Sequence, residues 1–173
     1  MPNEQTFQTQ LAIIGSGPGG YAAAFHAAEL GMQVAMISSD ERPGGVCLHR
    51  GCIPSKALLH IARVINETRE VADAGIKFKD PKIDLDALRE WKNGVVGRMA
   101  SGLVELGNRR NVKMIRAFAR FADSATLRLE AVNDAPLDVQ YVEYEHAILA
   151  SGSKPAIPGV FRLDDELAAA DRE

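Results

Sequence analysis

The stretch QLAIIGSGPGG, residues 10–20, decides the fold of this 173-residue chain. Its first five residues form a largely apolar run, as a buried parallel strand does, and an Ala-rich helical pattern follows the stretch. Between the two, Gly15, Gly17 and Gly20 match the pattern G-x-G-x-x-G. A strand, a tight glycine turn and a helix in this order favour an α/β fold built on a parallel sheet.

The glycine turn has the features of a dinucleotide-binding loop. Gly15 permits the tight turn, Gly17 lets the backbone approach a pyrophosphate, and Gly20 allows the helix to pack closely on the strand. The helix N-terminus adds free N–H groups and a positive field. An ordinary strand-to-helix turn is the alternative. A second apolar strand at residues 33–37 completes the βαβ unit and favours dinucleotide binding.

The end of the second strand departs from the dinucleotide fingerprint. An acidic residue normally binds the ribose hydroxyls there, whereas this chain has Ser38 and Ser39, followed by Asp40 and Glu41. Either a serine hydroxyl makes a neutral contact, roughly half as strong as a charge-assisted one, or Asp40 reaches back to the ribose. Ser38, Ser39 and Asp40 are therefore candidate cofactor-binding residues.

The later elements predict the rest of the fold. We expect one helix with Pro54 in its first turn and Gly75 at its end, and a second helix capped by Asp84 that runs to about residue 106. Apolar runs separated by turn signals predict strands at residues 112–115, 118–121, 125–129 and 139–149. This order predicts a Rossmann-like, doubly wound parallel sheet with a small antiparallel β-meander insertion.

Composition is typical of a globular protein and disfavours two classes of partner. Apolar residues make up 46% of the chain and charged residues 25%, with a net charge of -3, so we expect neither nucleic acid nor a membrane as partner. No apolar stretch approaches the ~20 residues that a membrane-spanning helix needs. The first residues are polar and acidic, unlike a secretory signal, and we expect a cytoplasmic protein.

Cys47 and Cys52 are the only cysteines, and they lie between an expected loop over residues 38–45 and the helix that contains Pro54. In a cytoplasmic protein, paired cysteines are more often catalytic or redox-sensing than structural. A thiol at a helix start beside a cation, here Lys56, is stabilised as the thiolate. These observations favour a redox-active pair.

Two other interpretations of the cysteines stay open. They could be inert, buried small side chains, or they could bind zinc together with His49 and His60. A zinc site needs four ligands in tetrahedral geometry. The position of the pair beside the dinucleotide loop favours redox chemistry without a metal.

The segment GGVCLHRGCIPSKALL, residues 44–59, resembles the redox-disulfide segment of the FAD-dependent pyridine nucleotide-disulfide oxidoreductases. The similarity extends from the glycine turn to ILASGSKP, residues 148–155, which is similar to the second flavin motif of that family. Within the family, the segment is most similar to the members that oxidise dihydrolipoamide. Mercuric reductase, glutathione reductase, soluble transhydrogenase and a non-catalytic nucleotide-binding module are the alternatives.

The resemblance implies a role for each candidate residue. Cys47 is the exposed thiol that exchanges with substrate, Cys52 lies against the flavin, and Lys56 lies beside the reactive edge of the flavin ring. The implied FAD contacts are Gly15, Gly17 and Gly20 at the pyrophosphate, Gly45 and Val46 along the flavin, the backbone of Ala119 at the adenine, and Ser151, Gly152 and Ser153 closing over the cofactor.

The resemblance also sets expectations for the extent of the chain. Residues 1–155 would be the N-terminal part of an incomplete FAD-binding domain, and residues 156–173 a linker toward an NAD-binding domain. The full-length parent would be a homodimer that oxidises dihydrolipoamide on a lipoyl domain and passes electrons through the two cysteines and FAD to NAD⁺. The chain alone is expected to lack this activity and to hold FAD weakly or not at all.

Overall fold

Six strands form a single mixed sheet in this structure, a computed structural model that describes residues 5–133, 135–154, 156 and 158. The strands lie in the order β3-β2-β1-β6-β5-β4; the first four are mutually parallel and the last two antiparallel. Along the chain the elements are β1 (Thr6–Ile14), α1 (Pro18–Glu29), β2 (Val34–Ser38), α2 (Gly45–His49), α3 (Cys52–Glu70), a 3₁₀ turn (Val71–Ala74), α4 (Leu85–Arg109), β3 (Lys113–Arg116), β4 (Phe118–Phe121), β5 (Thr126–Glu130) and β6 (Tyr141–Leu149).

Both faces of β1 are buried, and its alternating side chains divide the core in two. Leu11 and Ile13 pack with Ala24 of α1 on one face. Ala12 packs on the opposite face, in a cluster that includes Leu127 of β5. A helix therefore covers one face of the parallel sheet and the β4–β5 hairpin the other, which explains the continuous apolar run in this strand.

The predicted α/β fold, with a parallel sheet and an antiparallel meander, is confirmed. The hairpin, rather than a further helix, packs on the second face of the sheet. β1 begins at Thr6, four residues earlier than its apolar run, because this polar end also pairs with β6. Asp84 caps α4 as predicted: its carboxylate accepts hydrogen bonds of 3.0 Å from the N–H groups of Asp86 and Ala87.

The short helix α2 was not predicted from the sequence, which indicated only a loop before the redox segment. Its N-cap, Gly44, has φ +131 and makes no side-chain capping bond. The helix instead depends on burial of Leu48, which is 4% exposed. The expected first-turn position of Pro54 is confirmed, since α3 begins at Cys52.

The C-terminal half of β6 is exposed. Its first residues pair with both β1 and β5, whereas its last residues pair with β1 alone. Leu149, at its end, is 66% exposed. Among the described residues, no helix combines the length and the apolar character needed to cross a bilayer.

Candidate active site

The glycine turn between β1 and α1 is as tight as its sequence predicts. Gly15 has φ +110, and a Cβ at this residue would lie 2.2 Å from the carbonyl oxygen of Ala150. A Cβ at Gly20 would lie 1.9 Å from the carbonyl oxygen of Gly15. Gly17 differs, because the nearest atom to a Cβ there is the Cα of Gly45, at 3.9 Å. The fold requires Gly15 and Gly20, whereas the space beside Gly17 suits the approach of a ligand.

Ser16, inside this turn, was not singled out from the sequence. It is 4% exposed, and its hydroxyl has no hydrogen-bond partner within the described part of the chain. Buried hydroxyls are normally paired. The turn also leads into the N-terminus of α1, where Gly17 is the N-cap and no side chain caps the first-turn N–H groups. An unpartnered hydroxyl and an uncapped helix start fit a phosphate group.

The segment that carries the two cysteines, residues 44–59, contacts the glycine turn directly. The N–H of Gly44 donates a hydrogen bond of 2.8 Å to the carbonyl oxygen of Ser16. Gly45 has φ +57, and a Cβ on it would come within 2.7 Å of the Cα of Gly17. The two backbones meet with no side chain between them, so the predicted flavin-side residue Gly45 lies beside the predicted pyrophosphate position.

A disulfide joins Cys47 and Cys52, whose Cα atoms are 4.7 Å apart, as the family resemblance implies. Cys47 is half-buried in α2, whereas Cys52 is exposed at the start of α3. The implied roles suggest the opposite order, with Cys47 exposed and Cys52 covered. Cys47 is half-buried because the burial of Leu48 packs α2 against the rest of the fold. In the described ranges, no three His, Cys, Asp or Glu residues are grouped to hold a metal ion.

Lys56 lies on the same side of α3 as Cys52. The two residues are four positions apart in the helix, which places them one above the other on its surface. Both are exposed. A positive charge therefore stands one turn from the Cys52 sulfur, at the helix end that favours negative charge.

The end of β2 shows which polar residue shares a cavity with the flavin-side residues. The hydroxyl oxygen of Ser38 accepts a hydrogen bond of 3.2 Å from the N–H of Asp40 and so stabilises the turn. Asp40 lines a cavity of about 450 Å³ together with Gly45 and Val46, a volume within the usual range of ligand sites. Of the three candidates at this position, the structure brings Asp40 together with the flavin-side residues, and not Ser38 or Ser39.

The remaining candidates follow residues that are bonded to the carboxyl ends of β1 and β2. The N–H of Ala117 donates a hydrogen bond of 2.9 Å to the carbonyl oxygen of Ser38, the last residue of β2. Ala119 is two residues further along the chain from Ala117. The N–H of Ala150 donates to the carbonyl oxygen of Ile14 at 2.8 Å, beside the glycine turn. Three exposed candidates come next in the chain: Ser151, Gly152 and Ser153. Ligands of open α/β sheets bind at this edge.

Shifted pKa values occur on the β4–β5 hairpin and its turn. Hydrogen bonds from Arg120, and then from Arg128, lower the pKa of Glu130, and the same pair raises the pKa of Arg120. A backbone hydrogen bond from Ala125 lowers the pKa of Asp123. The stabilisation by these carboxylates is present at neutral pH and is lost as the pH falls through their lowered pKa values. It is small, because Asp123 and Arg120 are exposed and Glu130 is only partly buried.

Most of the chain is similar in sequence to known proteins. A family profile described as "Pyridine nucleotide-disulphide oxidoreductase" matches residues 9–172. The chain is 40% identical over 165 residues to a dihydrolipoyl dehydrogenase of Buchnera aphidicola subsp. Schizaphis graminum, covering 94% of this chain and 34% of that protein. It is 41% identical over 148 residues to one of Haemophilus influenzae, covering 86% and 30% respectively. The chain thus spans about a third of the length of these curated relatives.

Proposed function

Because the chain belongs to the pyridine nucleotide-disulfide oxidoreductase family, we propose that it supplies the FAD-binding and disulfide-bearing part of an enzyme that oxidises dihydrolipoamide. The observation that carries the proposal is the Cys47–Cys52 disulfide on a segment bound to the glycine turn through Gly44 and Gly45. The relatives named dihydrolipoyl dehydrogenase support the choice of substrate.

The reaction begins with thiol–disulfide exchange. A dihydrolipoamide thiolate attacks the Cys47 sulfur, the bond to Cys52 breaks, and Cys52 leaves as a thiolate. The second substrate thiol then displaces Cys47, which releases oxidised lipoamide and leaves two reduced cysteines. Lys56 and the N-terminus of α3 stabilise negative charge on the Cys52 sulfur. When bound, FAD would supply the two-electron acceptor between the two cysteines and NAD⁺.

The chain's own residues position FAD at the carboxyl edge of the sheet. Gly15, Gly17 and Gly20, with the unpartnered hydroxyl of Ser16, receive the pyrophosphate. Two observations support this fit: the open space at Gly17 and the buried hydroxyl of Ser16. Asp40 would bind the ribose, with Ser38, which accepts a hydrogen bond from the N–H of Asp40, and Ser39 beside it in the chain. The remaining contacts are Gly45 and Val46 at the flavin, Ala119 at the adenine, and Ser151, Gly152 and Ser153 over the cofactor.

The wider assignments follow the same family pattern. Residues 1–155 are the FAD-binding portion and residues 156–173 a linker toward an NAD-binding domain; apart from residues 156 and 158, that linker lies outside the described residues. The full-length enzyme is a cytoplasmic homodimer, and its substrate is carried on a lipoyl domain.

The disulfide of the purified chain is expected to open and close reversibly. Alkylation of the unfolded, oxidised chain should label no thiol, and dithiothreitol treatment should expose two, since the chain has two cysteines. Removal of the reductant in air should return the count to zero. The Cys47→Ser variant is the control and should show one thiol under both conditions. Two free thiols in the native chain under mildly oxidising conditions would contradict the proposal.

Titration of the chain with FAD, followed by flavin fluorescence, tests the cofactor assignment. We expect saturable but weak binding, in the micromolar range or weaker, because tight sites enclose most of their ligand and residues 151–154 are exposed here. Gly17→Ala should weaken binding by at least about tenfold, because its Cβ would occupy the space of the pyrophosphate. The unfolding temperature should hardly change, since the nearest atom is 3.9 Å away.

The matched control is Gly102→Ala on α4, where an added Cβ meets nothing within 4 Å. It should bind FAD like the unmodified chain. If Gly17→Ala and Gly102→Ala bind FAD equally well, the pyrophosphate does not lie against the glycine turn. Tight stoichiometric binding would show that the described residues enclose the cofactor better than we infer.

A further inference from the structure

The helix that carries Cys47 is too short to be stable by itself. α2 has five residues, whereas isolated helices shorter than about 12 residues are marginal in water. Its first turn is held by the hydrogen bond from Gly44 to Ser16 and by the burial of Leu48. What holds its last residue, His49, decides how firmly the segment between the two cysteines is fixed.

The imidazole of His49 binds the loop that precedes α2. Its Nε2 atom lies 3.3 Å from the carbonyl oxygen of Arg42 and 3.2 Å from that of Pro43. Carbonyl oxygens only accept hydrogen bonds, so Nε2 carries the hydrogen and shares it between them. The ring therefore connects the end of α2 to the loop residues Arg42 and Pro43 that precede this helix. His49 is half-buried and lines the cavity of about 450 Å³ described above.

We propose that His49 is a positioning residue for the redox disulfide, an inference that rests on the proposed function. His49 follows Cys47 by two residues and precedes Cys52 by three. By fixing the end of α2, its donated hydrogen holds Cys47 close to Cys52, with 4.7 Å between the two Cα atoms. Without it, α2 frays, the two sulfur atoms meet less often, and the equilibrium shifts toward the dithiol.

Glutathione redox buffers measure this effect on the 173-residue chain. One glutathione disulfide and two cysteine thiols exchange with two glutathione thiols and the Cys47–Cys52 disulfide, so electrons and protons balance. His49→Leu, which keeps bulk but donates no hydrogen bond, should shift the equilibrium constant about fivefold toward the dithiol. His49→Gln, whose side-chain amide can donate at a similar reach, should stay within about twofold of the unmodified chain.

The exposed His60 on α3 provides the matched control, and His60→Leu should leave the equilibrium unchanged. If the Leu and Gln variants at position 49 shift equally, or neither shifts, the positioning role is wrong. Failure of the unmodified chain to exchange at all would instead contradict the proposed function.

A second measurement does not depend on whether His49→Leu folds. Nitrogen-15 spectra of the oxidised chain, with His49 assigned by its loss in His49→Gln, should show a hydrogen on Nε2 and none on Nδ1 when the ring is neutral. A hydrogen on Nδ1 instead would overturn the proposal even if His49→Leu failed to fold.

Discussion

Gly20→Ala is expected to lower the free energy of unfolding of the chain by about 3 kcal/mol, at the upper end of the usual cost of overpacking. The added Cβ would lie 1.9 Å from the carbonyl oxygen of Gly15. That carbonyl cannot easily move, because the N–H of Gly15 is bonded to Ile37 at 2.7 Å and its Cα is packed against Ala150. The helix α1 would have to shift away from β1 and open the core between them.

Gly19→Ala is the control from the neighbouring residue. A Cβ there would make only an ordinary contact, 3.9 Å from the Cβ of Ala150. Alanine also favours the helix over glycine by up to about 1 kcal/mol, so this variant should be no less stable than the unmodified chain. Urea unfolding followed by circular dichroism, with the disulfide oxidised throughout, compares the two. Equal stability of Gly19→Ala and Gly20→Ala would show that α1 does not pack as closely as described.

Leu127→Ala is also expected to cost about 3 kcal/mol, the middle of the range for large-to-small changes in a core. Leu127 is fully buried. It packs with Ala12, Ala35 and Ile37 on the second face of the sheet. These neighbours belong to β1 and β2 and are fixed by strand pairing, so they cannot collapse into the space that the leucine leaves.

Phe121→Ala tests the same hairpin at a matched position. Phe121 is the direct partner of Leu127 in the β4–β5 pairing, yet it is 53% exposed. Its loss should cost less than about 1 kcal/mol, as surface changes usually do. Both variants are compared by urea unfolding. If Leu127→Ala were no more destabilising than Phe121→Ala, the hairpin would not be part of the core.

Local patterns in the sequence predicted the elements whose cause is local. The glycine turn needs positive φ at Gly15 and no Cβ at Gly20, and a run of three glycines with fixed spacing encodes both. The cap at Asp84 acts on N–H groups two and three residues away, so it too could be predicted. The strand β4 spans Phe118–Phe121, the same residues that the apolar pattern predicted.

The features that were missed depend on contacts between distant residues. The helix α2 has no start signal in its sequence and forms because Leu48 finds a buried position. The exposure of Cys52 relative to Cys47 follows from the same packing. Ser16 becomes a candidate only when its hydroxyl is found buried without a partner. Asp40 could be distinguished from Ser38 and Ser39 only by the cavity that it lines.

The pairing of β1 with β6 sets the order in which this chain can fold. Gln8 and its partner Glu143 are 135 residues apart, and these two strands lie side by side along most of their length. Closing so long a loop is slow, because its entropy is lost before the contacts form. At about 5 to 20 residues per second, the N-terminal strand therefore waits roughly 7 to 27 s during synthesis for its partner to emerge. Throughout that interval one edge of β1 lacks its pairing partner, and chaperones that bind extended apolar segments have the time to act on this strand.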